Sequence, residues 1–334
     1  MNAIQSTSRH PVSHVAFSPD GTTFAVVQPN YGVTLHDRGT GRAVVTIPVP
    51  RVADFSAVAF CGGGAKLAVG SRRGLHVLDA ATGKVIAYQG GWMFTGAVLT
   101  GRDTEFLAAN DYGLRGVRVP ASPDEPPGLL SYSLPLKCRA AVIALSPCGR
   151  WCVGVRGRTR PVLLNLDSRL IGGEVDHPYR NTGSGRPAVA FAPNGERFAV
   201  CDGNDVSVYA TADADTDPGD DPADEPTPLV RRTGGTAVAP KPRLLLQPIF
   251  HLAPPEGVPP GERWRPAVAF TPDGRGLLVR RPRNRVQLWD VATACIAGEW
   301  GWRLESVSCL AVAPDGLTAA VGARFGRVVM WDLE

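Results

Sequence analysis

The feature that most constrains this chain is a short pattern that keeps returning, an apolar run closed by a Pro/Gly turn. It reads Val15-Ala16-Phe17-Ser18-Pro19-Asp20-Gly21, Ala188-Val189-Ala190-Phe191-Ala192-Pro193-Asn194-Gly195, Ala267-Val268-Ala269-Phe270-Thr271-Pro272-Asp273-Gly274 and Leu310-Ala311-Val312-Ala313-Pro314-Asp315-Gly316. Weaker copies are Val58-Ala59-Phe60-Cys61-Gly62-Gly63-Gly64 and Ile143-Ala144-Leu145-Ser146-Pro147-Cys148-Gly149, with a degenerate one at Ala97-Val98-Leu99-Thr100-Gly101-Arg102-Asp103. Proline presets φ for the second turn position, Asp or Asn suits the third, and Gly takes the positive φ that closes a hairpin. Each copy therefore predicts a hairpin tip.

Behind each tip comes a second apolar run, such as Phe24-Ala25-Val26-Val27, then a polar turn and a third run, such as Leu75-His76-Val77-Leu78-Asp79. A fourth often follows a Thr-Gly turn, as Thr40-Gly41 leads into Ala43-Val44-Val45-Thr46-Ile47. The last turn residues at 21, 64, 149, 195, 274 and 316 are separated by 43, 85, 46, 79 and 42 residues, the 85 covering two units. Four short strands in about 40 to 45 residues is the unit of a β-propeller blade. The inner runs lack polar/apolar alternation, as expected for sheets covered on both faces. A β-sandwich would not need the recurrence.

The hairpin Phe17-Ser18-Pro19-Asp20-Gly21, together with Leu288-Trp289-Asp290 and Met330-Trp331-Asp332, resembles the WD40-repeat (Trp-Asp repeat) β-propeller family over nearly the whole chain. The other units read Leu35-His36-Asp37, Val77-Leu78-Asp79 or Leu166-Asp167 at that place, and the Gly-His dipeptide of the family is missing. With seven tips, the expectation is an all-β, seven-bladed β-propeller of four-stranded antiparallel blades in one domain, residues 1–334. The last unit reaches only its third strand, and the resemblance implies that the N-terminal segment, residues 2–8, supplies the fourth and closes the ring. Structural roles are assigned to Asp37, Asp79, Asp167, Trp289, Asp290, Trp331 and Asp332: the Trp as a wedge between blades, the Asp as an acceptor at the end of the third strand.

The long interval is explained by an insertion within blade five. Residues 211–228 hold seven acids and four prolines with no base, and Arg231, Arg232, Lys241 and Arg243 follow. Such a segment cannot bury enough apolar surface to offset its ordering entropy. Residues 211–243 are accordingly expected to be mobile, with an outer strand at 244–252 and lesser loops at 120–128 and 253–262. The acidic run is further expected to fold over basic loops.

No run approaches the roughly 18 apolar residues of a membrane span, and the first residues are polar. The seven cysteines lie mostly inside apolar runs, without framework spacing. The expectation is a cytoplasmic protein with reduced thiols, no membrane contact, no cofactor and a monomeric state. Catalysis needs a nucleophile, a base and an orienting group in one pocket, and the six histidines are scattered. His36 and His76 take what read as equivalent third-strand places, a packing role. Cys148 and Cys152 lack the second pair a zinc site requires, and Asp202-Gly203-Asn204-Asp205 reads as a tight turn, so no metal is expected.

Basic residues are skewed, with 31 of the 35 being Arg. Eleven of those fall in turns between second and third strands, which in a propeller emerge on one face. Removing the seven acids of the insertion raises the net charge from +4 to +11. Guanidinium forks beside aromatic anchors suit carboxylate or phosphate partners. The candidate partner-binding set is Arg72, Arg73, Tyr112, Arg156, Arg158, Arg160, Trp264, Arg281, Arg283, Arg285, Trp302, Arg324 and Phe325. Genome bias toward Arg is the competing account of the skew. The leading expectation is a non-catalytic protein-interaction scaffold binding acidic or phosphorylated protein segments. A nucleic-acid-binding propeller is the alternative, and a propeller enzyme comes third for want of convergent carboxylates or histidines.

Overall fold

The computed structural model describes residues 2–5, 9–29, 31–48, 55–71, 74–90, 96–99, 105–110, 113–118, 128–134, 140–156, 160–168, 170–177, 187–202, 205–211, 245–252, 266–302, 304 and 306–333. In chain order the strands are β1 (Asn2–Gln5), β2 (His14–Phe17), β3 (Thr23–Gln28), β4 (Gly32–Asp37), β5 (Ala43–Pro48), β6 (Phe55–Cys61), β7 (Lys66–Ser71), β8 (Gly74–Asp79), β9 (Val85–Gly90), β10 (Gly96–Leu99), β11 (Glu105–Asn110), β12 (Gly113–Arg118), β13 (Gly128–Leu134), β14 (Ala140–Leu145), β15 (Trp151–Arg156), β16 (Val162–Asn165), β17 (Leu170–Val175), β18 (Ala188–Phe191), β19 (Arg197–Asp202), β20 (Asp205–Ala210), β21 (Leu245–Leu246), β22 (Phe250–Leu252), β23 (Val268–Phe270), β24 (Gly276–Arg281), β25 (Arg285–Asp290), β26 (Cys295–Gly301), β27 (Val307–Val312), β28 (Thr318–Ala323) and β29 (Arg327–Asp332). Among the described residues there is no α-helix.

These strands form seven sheets. Sheets one, two, three and six are the consecutive antiparallel sets β2–β5, β6–β9, β10–β13 and β23–β26. Sheet four is β14–β17 with β21 added, sheet five is β18, β19, β20 and β22, and sheet seven is β27, β28 and β29 with β1 on its outer edge. β1 pairs antiparallel with β29, Asn2 opposite Met330 and Gln5 opposite Arg327. The N-terminal segment thus occupies the fourth place in sheet seven.

One expectation fails after the insertion. Residues 244–252 do not form a single outer strand. β21 runs parallel on β17 of sheet four, with Val175 opposite Leu246, and only β22 completes sheet five, with Val206 opposite Leu252. Pro248 lies between the two and has no N–H to continue a ladder. The expected insertion beyond Thr211, and the loops at 120–127 and 253–262, lie outside the described residues.

Alternate side chains of one strand reach opposite neighbours, which explains the uniformly apolar inner runs. In β3, Ala25 and Val27 pack with Phe60, Leu67 and Val69 of sheet two, whereas Phe24 and Val26 pack with Ala320, Val328 and Met330 of sheet seven. The same two-sided burial joins sheets four and five through Trp151, Val153, Phe198 and Tyr209, and five and six through Cys201, Val208, Leu277 and Val279. Sheets six and seven meet through Leu278, Val286, Val321 and Trp331. Each such fully buried Val, Leu or Phe contributes about 1.5–3 kcal/mol.

The tips carry the predicted turn chemistry. Gly21 N–H donates to Ser18 O at 2.9 Å and Gly274 N–H to Thr271 O at 2.9 Å, with φ of 69° and 70° at the two glycines. The turn carboxylate is reused: Asp20 Oδ1 accepts from Thr22 N–H at 3.0 Å, as Asp273 Oδ1 accepts from Arg275 N–H at 3.0 Å. Successive tips also abut. A methyl on Gly21 would stand 3.7 Å from Pro314 Cδ, on Gly274 3.8 Å from Pro193 Cδ, and on Gly316 3.6 Å from Pro272 Cδ. Gly62, Gly63 and Gly64 make the proline-free tip of sheet two with all three φ positive, at 58°, 63° and 102°.

The turns from third to fourth strands are closed by the expected aspartates in three sheets. Asp37 Oδ1 accepts from Thr40 N–H and Oγ1–H, both at 2.7 Å; Asp79 does the same with Thr82, and Asp290 with Thr293. These bonds hold all three carboxyls below the ordinary carboxylate range. Sheet four departs from expectation, because Asn165 fills this place, its Oδ1 accepting from Asp167 and Ser168 N–H at 3.0 and 3.1 Å. Asp167 instead faces Arg150 at 3.9 Å, since the sheet's third strand ends two residues earlier. Trp331 is buried between sheets six and seven, Trp289 packs toward sheet five, and Asp332 ends β29 exposed to solvent. His36 and His76 are not equivalent: counted back from the terminal Asp, His76 aligns with Thr34. His36 stacks on Phe24 with ring centres 5.1 Å apart, His76 lies tilted against Tyr88 at 4.6 Å, and burial lowers both pKa values.

Candidate functional site

Antiparallel order puts the turns between second and third strands, and the connections to the next sheet, on the edge opposite the Pro/Gly tips. The predicted partner-binding residues Arg72, Arg73, Tyr112, Arg158 and Trp264 lie outside the described residues, as does the side chain of Arg156 at the end of β15. The remainder divide into engaged and exposed.

Arg281 is not at the surface. It is 4% exposed, with its guanidinium 5.5 Å from the Trp289 ring and its Nε donating to Gln287 Oε1 at 3.0 Å. Residue 281 still belongs to β24, whose odd-numbered side chains pack toward sheet five, so the register buries it. Arg285 grips Glu299 at 2.6 Å, and that carboxylate also accepts from Gln287 Nε2 at 2.6 Å. Arg160 faces Asp176 at 3.7 Å.

Arg283, Arg324 and Phe325 project into solvent from adjacent turns, on a backbone of unusual shape. Arg283, Asn284 and Phe325 have φ of 58°, 59° and 58°, a left-handed conformation that costs an L-residue roughly 1–2 kcal/mol. Asn284, which sequence reasoning overlooked, supplies a compensation. Its Nδ2 donates to Leu304 O at 2.5 Å and its Oδ1 accepts from Val307 N–H at 3.1 Å, tying the turn of sheet six to the start of sheet seven. Arg324 N–H donates to Ser306 O at 3.1 Å, and Trp302 rests on Trp331 with ring centres 4.6 Å apart. The two turns are thereby held on one framework while Phe325 stays 46% exposed. An Asn in the Pro282-Arg283-Asn284 turn was the available sequence signal, but its partners lie 20 and 23 residues onward.

Sheet five contains a second polar assembly that the sequence did not reveal. Ser207 Oγ lies 2.9 Å from His251 Nδ1 and 3.2 Å from His177 Nδ1, His251 Nε2 lies 3.6 Å from Asp205 Oδ1, and Tyr209 Oη donates to Asp176 O at 2.8 Å. The Ser-His-Asp order looks catalytic, but Ser207 is fully buried beneath both imidazoles, where a substrate has no approach. The assembly instead links the end of sheet four to sheet five. Burial lowers the His177 pKa to about 4, and burial beside Asp205 raises that of Asp202 to about 6. Among the described residues no three His, Cys, Asp or Glu side chains gather as a metal site, and no helix is long and apolar enough to cross a membrane.

No protein-family model and no curated protein sequence matches the chain. Among solved structures it is similar to the β-propeller domain of Cps50 (Swd1) from Myceliophteria thermophila, at a TM-score of 0.73 and 15% identity, over 100% of this chain and 99% of that one. This likeness shows a β-propeller fold.

Proposed function

We propose that this propeller is a non-catalytic, monomeric, cytoplasmic interaction scaffold that binds acidic or phosphorylated protein segments on the edge bearing Arg283, Arg324, Phe325 and Trp302. The single observation that carries the reading is the pair of neighbouring turns whose non-glycine residues keep left-handed backbones while their cations and an aromatic ring remain exposed. Strain of this kind clusters at functional positions, and Arg with aromatic anchors is the composition of binding hot spots. Arg72, Arg73, Tyr112, Arg156, Arg158 and Trp264 extend the same face by their place in the repeat, with Arg160 and Arg285 at its rim in ion pairs.

In this reading the seven sheets are the blades of one closed ring in a single domain, with residues 211–243 a mobile insertion. Support comes from β1 on the edge of sheet seven, from the core shared by sheets seven and one, and from the tip of sheet one lying against Pro314 of sheet seven. Deleting residues 1–10 is then expected to lower the melting temperature or cause aggregation by exposing a sheet edge; an unchanged melting temperature refutes closure.

The binding face is tested by affinity capture from native lysate with the intact protein beside an Arg158→Glu, Arg283→Glu double variant, followed by titration of captured segments as synthetic peptides. Acidic or phosphorylated segments lost only with the variant support the face. Equal capture by both proteins removes it. Binding of any polyphosphate, with affinity falling steeply as salt rises, would assign the face to nucleic acid instead.

A further inference from the structure

The opposite edge, that of the Pro/Gly tips, carries a site independent of that face. Between sheets seven and one the space beside the tips is filled by Arg38, the residue after the turn aspartate Asp37. Its Nη1 lies 2.6 Å from Asp315 Oδ2, its Nη2 donates to Thr318 Oγ1 at 2.7 Å, and Nη1 also reaches Gly21 O at 3.4 Å. The guanidinium lies 6.0 Å from the centre of the Phe17 ring. One side chain from sheet one thus grips sheet seven through a carboxylate and a hydroxyl while also reaching the carbonyl of its own sheet's tip.

The repeat defines the same positions between sheets six and seven. Asp273 corresponds to Asp315, Gly276 to Thr318, Gly316 to Gly21 and Leu333 to Arg38. The backbone equivalence is direct: Arg38 N–H donates to Thr22 O, and Leu333 N–H to Leu317 O, each at 2.9 Å. With leucine in place of arginine and glycine in place of threonine, the space stays open. A groove of about 410 Å³ lies there, lined by Asp273, Arg275, Gly276, Asp290, Leu317 and Leu333 among others.

Its acid is left half-used. Asp273 Oδ1 accepts from Thr271 Oγ1 at 2.5 Å and from Arg275 N–H at 3.0 Å. Among the described residues Asp273 Oδ2 takes no hydrogen bond, whereas the matching oxygen of Asp315 is the one Arg38 grips. At the corresponding tip of sheet one, Asp20 Oδ2 accepts from Thr22 Oγ1 at 2.9 Å; at sheet six Arg275 stands where that threonine would be. Hydrogen bonds, joined by the charge of nearby Arg275, lower the pKa of both Asp273 and Asp290 below the ordinary carboxylate range.

We infer that the groove between sheets six and seven receives an arginine side chain of a partner polypeptide, whose guanidinium takes at Asp273 the place that Arg38 takes at Asp315. Leu317, 51% exposed, and Leu333 supply an apolar wall for the methylene stem, as expected for a side chain with an apolar body and charged head. A planar fork engages a carboxylate and a nearby carbonyl together, which an ammonium does less well.

The probe is N-acetyl-arginine N-methylamide, titrated to about 50 mM while backbone amide resonances of the full chain are followed by NMR. Saturable shifts are expected at Gly274, Arg275, Gly276 and Leu317, with the lysine analogue about tenfold weaker. Asp273→Asn should abolish them without disturbing the tip, because Asn194 already serves at the tip of sheet five, its Oδ1 accepting from Glu196 N–H at 3.1 Å. Leu333→Arg should fill the groove from within, block the probe and raise the melting temperature. Absence of saturable shifts, shifts that persist in Asp273→Asn, shifts centred on the Arg283 edge, or a Leu333→Arg protein that binds the probe unchanged would each overturn the inference.

Discussion

Along one edge of the sheets, the tips ending in Gly21, Gly149, Gly195, Gly274 and Gly316 repeat one solution, with glycine φ between 69° and 74° and a closing N–H to O bond at 2.8–2.9 Å. Along the other edge, the turns at 281–285 and 323–327 share no such economy: Arg, Asn and Phe occupy left-handed backbone where glycine would be free of strain. What repeats across these five sheets is a turn that lets a sheet form and sit against its neighbour. What is strained and cationic in these two described turns has no folding rationale of that kind, which makes it the better place to look for binding.

The sharpest way to break this contrast sets the core against the edge. Phe24→Ala, at a fully buried position between sheets one and seven, should destabilise by about 3–5 kcal/mol in urea unfolding. Arg283→Glu should leave stability within about 0.5 kcal/mol and abolish capture of acidic segments. A comparable loss of stability from Arg283→Glu would place it among the structural residues.

Sheet five yields a pH test of intermediate size. His177 is held neutral with its pKa lowered from 6.5 to about 4; between those values only the unfolded chain takes up the proton, so stability falls as pH drops through the window. Asp202 acts oppositely, its pKa raised from 3.8 to about 6, so the folded state gains relative stability as pH drops from 6 toward 3.8. Comparing urea unfolding at pH 7 and pH 5, His177→Gln should lose less stability on acidification than the parent, and Asp202→Asn should lose more. Equal losses in all three proteins would dissolve the assignment.

Smaller still are the backbone exchanges. Gly274→Ala should cost about 1–2 kcal/mol, because the added methyl meets nothing nearer than 3.8 Å and the cost is the backbone's alone. Phe325→Gly should do the reverse, raising the melting temperature while weakening peptide binding. Ala294, at φ 53° where Gly41 and Gly83 serve in sheets one and two, should gain about 0.5–1 kcal/mol on replacement by Gly. If Phe325→Gly destabilises the protein, its ring belongs to the fold and the contrast between the edges fails at that point.

Local chemistry was the legible part. Proline and glycine act on their own φ angles, so the tips and most strands could be placed by reading along the chain, as could the Asp37, Asp79 and Asp290 turns. The same reading missed the substitution of Asn165 for Asp167, because the end of the strand is set by pairing with β15. It also missed the split of residues 244–252, since a two-residue parallel pairing on a preceding sheet leaves no periodic trace. Arg281 was assigned to the turn because an arginine run reads as solvated, and only register shows that it lies beneath the Trp289 ring.

The sequence by itself determined that this chain is a repeated four-stranded unit with its hairpins closed by Pro, Asp and Gly, because those residues act within a turn and need no distant partner. The tertiary structure decided which arginines are buried, paired or exposed, that Asn284 joins two sheets, and that one junction is filled by Arg38 while the next is open at Asp273. Those outcomes depend on which side chains from separate repeats share a junction, a property of the packed sheets that no single repeat contains.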